Sequence, residues 1–154
     1  MYKRQLDGLE NFRVLRAGTL ETSPELSVEL RLAQILVDLR SLYADCAPDA
    51  VVVERVFYQR NAKTAIPVAQ ASGVAIALAG ESGIPVRQFT AQQVKLAVTG
   101  YGAASKSQVQ EMVARLCGLV EIPATADAAD AIGLAMTYFM TERTEMRLRE
   151  RARA

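Results

Sequence analysis

The stretch PDAVVVERVFYQRNAKTA, residues 48–65, sets an apolar run directly against a charge. Ala50 to Val53 has the unbroken apolar character of a central parallel strand buried on both faces. Glu54 closes that run, and a carboxylate is costly to bury without a partner. A glutamate at the end of a core strand therefore asks for a ligand. A parallel strand also needs long crossover connections, normally helices, on either side of it.

The flanking sequence supplies them. Ser23-Pro24-Glu25 and Ser27 carry helix-start chemistry, and Leu32, Ile35, Leu36, Leu39, Leu42, Tyr43 and Cys46 recur at helical spacing. Pro48 and Asp49 end that helix. Further upstream, residues 5–22 read as two short strands around the Asp7-Gly8 turn, with Phe12 to Leu20 as the second strand. Downstream, residues 61–81 form an alanine-rich helix whose Ala65, Ala69, Ala71, Gly73 and Ala75 permit close packing. Pro67 should kink that helix or mark its true start. Ile84 to Phe89 is a short strand. Thr90-x-x-Gln93 is a capping box for a helix to about Thr99, and Gly100 to Ala104 is a loop. Ser105-x-x-Gln108 opens another helix through Leu119, and Thr125 caps a long final one. The order predicts a mixed α/β fold, residues 1–154 as a single domain, and a basic helix end or tail over residues 141–154.

With 154 residues the chain can bury a substantial core, and 51% hydrophobic with 23% charged residues is ordinary for a soluble globular protein. The net charge of +1 makes no global case for nucleic acid, although Arg143, Arg147, Arg149, Arg151 and Arg153 outnumber the acids near the C-terminus. The plain reading of that run is a solvated helix end with i,i+4 pairs. The chain has no histidine, which removes Ser-His-Asp and Cys-His catalysis and histidine metal ligands together. Cys46 and Cys117 read as inert buried thiols in a reducing compartment. With no signal peptide and no apolar stretch of membrane length, a cytoplasmic location is expected.

Asp127 and Asp130 in ADAADAIGLAM stand at i,i+3 near the start of the last helix, amid small and apolar residues. The plain reading of either is compensation of the helix dipole. Together with Glu54 they make three carboxylates on core-facing elements, and such a set would repel unless a hard cation sits among them. Mg²⁺ takes a few carboxylates, keeps several waters and contacts substrate phosphates. That chemistry suits phosphodiester hydrolysis, in which the metal activates water and steadies the leaving oxygen. Lys106, at the start of a helix whose amides favour phosphate, suits the same purpose.

Four segments carry a family resemblance: VVVERVFYQRNAKTA, AQASGVAIA, PVRQFTAQQVKLAVTGYGAASKSQVQEMV and ADAADAIGLAMTY. In this order and spacing the chain resembles the RuvC family of Holliday-junction resolvases, on a ribonuclease H-like mixed sheet flanked by helices. The resemblance implies a Mg²⁺-dependent endonuclease with two ions per subunit and Mn²⁺ as a possible substitute. Glu54, Asp127 and Asp130 are then metal-ligand acids and catalytic together with Lys106. Phe57 would press on bases near the junction centre, and Asn61, Lys95 and Lys106 would contact DNA. Expected partners are four-way junction DNA, a second copy in a homodimer, and a branch-migration helicase complex. Phe57 could instead be a core aromatic, and Lys95 an ordinary solvated lysine.

The sequence departs from that family at its start. The usual first, central strand with its Asp-Pro-Gly turn and first catalytic aspartate does not precede Met1, and Asp7 is better read as hairpin-turn chemistry. The expectation is a chain truncated at its N-terminus, with an unpaired edge beside the valine strand and impaired cleavage. A non-catalytic junction-binding or partner-binding module is the alternative. A related nuclease acting on RNA–DNA hybrids is a further one.

Overall fold

The structure is a computed structural model that describes residues 12–55, 62–119 and 125–152. Its elements are α1 (Val28–Cys46), β1 (Val51–Glu54), α2 (Ala62–Glu81), β2 (Val86–Phe89), α3 (Ala91–Thr99), α4 (Lys106–Leu116) and α5 (Ala126–Arg151). The described residues fall into two compact units, one from residue 20 to residue 88 and the other over residues 12–19 with residues 89–152.

In the first unit, Ser27 is the N-cap residue of α1 in extended backbone, and Glu29 lies in the first turn. The predicted stripe from Leu32 to Tyr43 is half-buried, and α1 packs against α2. Tyr43 donates its hydroxyl to the Ala75 carbonyl at 3.3 Å, and Arg40 meets Glu81 at 3.2 Å, so two polar contacts fix the pairing of these helices. Ala47 ends α1 in the left-handed region at φ 43°, a conformation disfavoured for a residue with a Cβ. The chain then turns through Pro48 into β1, where the Val51 amide donates to the Pro85 carbonyl at 2.9 Å. The β1 and β2 strands make a small parallel sheet with α2 as the crossover between them. Pro67 lies inside α2, where its missing N–H removes one helical hydrogen bond.

Two expectations about strands are corrected here. Val51 to Val53 are half-buried, not enclosed on both faces, and among the described residues the sheet has two strands. Phe12 to Leu20 carries no strand assignment among the described residues, and the first strand of its expected hairpin lies outside them. The turn at Asp7-Gly8 lies outside the described residues.

The second unit is built on the mutual packing of α3, α4 and α5. Val94 and Val98 of α3, Val109 and Val113 of α4, and Ala128, Ala129, Ile132 and Met136 of α5 are its buried core. Each fully buried valine contributes about 1.5–3 kcal/mol. Gly133 lets α5 approach closely, since a Cβ there would stand 3.2 Å from Val94 Cγ1 and 3.7 Å from Val113 Cγ2. Thr137 is buried with its hydroxyl satisfied by the Gly133 carbonyl at 2.8 Å. Both expected capping boxes form, Thr90 with Gln93 and Ser105 with Gln108. The α4 helix stops at Leu116, short of Leu119, because Gly118 turns left-handed at φ 60° and Leu119 donates back to the Ala114 carbonyl at 2.9 Å. The C-terminal run is helical to Arg151, with Arg149 on Glu145 at i,i+4.

The cysteines also differ from expectation. Cys46 is exposed, since the last turn of α1 runs past the surface that covers Tyr43. Cys117 is half-buried with its Sγ 3.6 Å from Met136 Sδ, and desolvation pushes its thiol pKa up. Both are free thiols.

Candidate active site

The start of α5 is set by Thr125, whose Oγ1 accepts from the Ala128 amide at 3.2 Å. Ala128 and Ala129 are buried, at 5% and 0% exposure. At about 100° per residue, burying those two turns Asp127 and Asp130 together to the outward face. Asp127 is exposed and Asp130 half-exposed. The small apolar residues between the two acids thus orient them, which is why the motif alternates as it does.

Lys106 is the first residue of α4, held in place by the Ser105 cap that precedes it. Its Nζ lies 3.1 Å from Asp130 Oδ2, with side chains 57% and 47% exposed. Sequence reasoning missed this pair, because the residues are far apart along the chain and no local spacing signals it. Both α4 and α5 present helix N-termini in this unit, whose unpaired amides favour anions. Lys95 stands half-buried on α3, and its carbonyl accepts from Thr99 Oγ1 at 2.7 Å. That hydroxyl also accepts from the Tyr101 amide at 3.1 Å, tying the loop to α3.

Glu54 is exposed at the end of β1, in the first unit. Phe57 and Asn61 lie outside the described residues. The structure therefore brings Asp127, Asp130 and Lys106 together. Among the described residues it groups no three or more of His, Cys, Asp and Glu in a way that could hold a metal ion. The two aspartates nonetheless offer hard oxygen donors on one helical turn, the donor chemistry that a divalent cation such as Mg²⁺ takes. Their chemistry fits such an ion, and two carboxylates plus waters are within its habits.

Comparison with known proteins bears on this arrangement. Residues 7–138 match the family model described as crossover junction endodeoxyribonuclease RuvC. Curated proteins of that name are similar to the chain. The one from Syntrophomonas wolfei is 47% identical over 131 residues, covering 85% of this chain and 76% of its own. The one from Thermomicrobium roseum is 43% identical over 138 residues, covering 90% of this chain and 85% of its own. Among solved structures, Thermus thermophilus RuvC matches with a TM-score of 0.79 at 33% identity, covering 86% of this chain and 80% of that one. The same protein in complex with a Holliday junction substrate matches with a TM-score of 0.81. Fold, segment order and sequence agree: the chain belongs to the RuvC family, whose members are crossover junction endodeoxyribonucleases on a ribonuclease H-like fold.

Proposed function

We propose that this chain is the nuclease domain of an endonuclease that resolves four-way DNA junctions by paired nicks during recombination and repair. The observation that carries the reading is the outward-facing Asp127 and Asp130 beside Lys106 at the start of α4. Acids and a phosphate-seeking cation at helix N-termini are the parts that phosphodiester cleavage requires. Asp127 and Asp130 would hold a divalent cation, Mg²⁺ by donor type, with two ions per subunit and Mn²⁺ as a substitute. Glu54 joins them as a ligand through the resemblance of its segment alone.

A divalent cation bound there supplies neutralisation of the phosphate charge and a more acidic water. The remaining steps belong to the chain. The Lys106 ammonium and the α4 amides draw in the scissile phosphate and oppose its charge. Lys95 contacts a neighbouring phosphate as a point charge. Phe57 stacks on bases near the junction centre, with Asn61 on the adjoining backbone. A two-fold homodimer would place one such site on each of two strands of a junction with matching symmetry. A branch-migration helicase complex and a cytoplasmic location complete the reading. Among the described residues no helix is long and apolar enough to cross a membrane.

The test is nicking of a synthetic four-way junction with Mg²⁺ by the chain extended with the family's first strand, set against EDTA and against Asp130→Ala in the same extended chain. Paired nicks that need Mg²⁺ and vanish in the variant, with junction binding retained, are the expected result. Undiminished nicking by Asp130→Ala would refute the site. The second reading is a junction-binding or partner-binding module without catalysis. Tight junction binding with no nicks in either metal would establish that reading instead.

A further inference from the structure

The contact between Lys106 and Asp130 joins the first residue of α4 to the second turn of α5, at 3.1 Å. One of the two carboxylates assigned to the metal is thus engaged by the ammonium assigned to the DNA phosphate. Both side chains are about half exposed, so the pair is solvent-screened and weak enough to exchange. An ammonium and a divalent cation on the same carboxylate repel each other and compete for the same oxygen lone pairs. Lysine is a compact charge on a flexible four-carbon stem, which can leave one anion for another without moving the helix that carries it.

We propose that Lys106 exchanges between the Asp130 carboxylate and the DNA phosphate, so that metal and DNA each assist the binding of the other. Cation binding at Asp127 and Asp130 displaces the ammonium and makes it available to phosphate. Phosphate binding in turn draws the ammonium from Asp130 and frees the carboxylate for the cation. By linkage the two effects are the same coupling seen from either ligand. This rests on the nuclease reading and assigns to Lys106 a positioning role at the metal in addition to its contact with phosphate.

Mn²⁺ titrations followed by electron paramagnetic resonance test it without DNA and without turnover. They compare the unaltered chain with Lys106→Gln, Lys106→Met and Lys106→Arg. Removing the charge by either neutral variant should tighten Mn²⁺ binding by about twofold to fivefold, the range an exposed ion pair supports. Lys106→Arg, which keeps the charge, should restore the weaker affinity. Two neutral variants guard against an idiosyncratic effect of one side chain, and circular dichroism melts confirm that each is folded. Neutral variants whose Mn²⁺ affinity is unchanged or weaker would overturn the exchange. Asp130→Asn separates that failure from a deeper one. If it leaves Mn²⁺ binding intact, Asp130 is no metal ligand, and the proposed site falls together with the exchange.

Discussion

Asp127 lies in a first helical turn, where any acid gains from the helix dipole, so its presence alone distinguishes nothing. The two roles separate by magnitude. As a dipole partner it contributes about 0.3–1 kcal/mol at an exposed site. As a metal ligand its loss should lower activity roughly a hundredfold or more, since residues that merely support metal ligands already cost about tenfold to a hundredfold. Asp127→Asn is therefore expected to melt within a few degrees of the unaltered chain while junction nicking nearly disappears. Equal losses in stability and activity would return Asp127 to a structural role. The cysteines give a second residue-scale expectation. Burial raises the Cys117 pKa, so its thiol stays protonated at neutral pH, whereas Cys46 is exposed. Thiolate is the reactive form, so alkylation at pH 8 followed by mass spectrometry should modify Cys46 well before Cys117. Because the folded-state pKa of Cys117 is the higher one, its contribution to stability is complete below the ordinary thiol range. It is lost as pH rises through the folded value.

At the scale of elements, α5 depends on its cap and on its glycine. Thr125→Ala removes the acceptor for the Ala128 amide and should cost about 1 kcal/mol in chemical denaturation. Fraying of that turn carries Asp127 and Asp130 with it, so Mn²⁺ affinity should fall in the same variant. Gly133→Ala sets two effects against each other. Alanine gains about 0.5–1 kcal/mol in helix propensity, but its Cβ meets Val94 Cγ1 at 3.2 Å. Val94 is itself buried, and overpacking a filled core costs about 1–3 kcal/mol, so net destabilisation is expected in the same assay. What the sequence made legible at this scale was whatever is decided locally. The Thr90–Gln93 and Ser105–Gln108 boxes, the Thr125 cap and the α1 stripe are three- and four-residue patterns, and all appear. The strand over Phe12 to Leu20 was not decided locally, because a strand exists only through its partner. The Lys106–Asp130 contact likewise follows from how α4 and α5 pack, which no spacing along the chain encodes. Glu54 was legible as an anomaly on an apolar strand, but its role rests on resemblance to a family and not on local physics.

For the whole molecule the balance of charge decides how DNA is held. Eighteen lysines and arginines against seventeen acids leave a net charge of +1, too little for a general field to gather nucleic acid. Affinity must then come from a few placed cations and helix amides, and each phosphate that a cation neutralises adds roughly 0.9 to the slope of log affinity against log salt. On the proposed reading Lys95 and Lys106 belong to that small set. Arg149 does not: it lies near the end of α5 and is engaged by Glu145 at 3.4 Å. Junction binding measured by fluorescence anisotropy across a salt series should therefore show a shallow slope. Lys95→Gln should reduce it by about one unit, while Arg149→Gln should leave it unchanged. A larger reduction from Arg149→Gln than from Lys95→Gln would move the DNA path from α3 and α4 to the C-terminal end of α5. The basic run there would then be a binding surface, and its reading as a solvated helix end would fail.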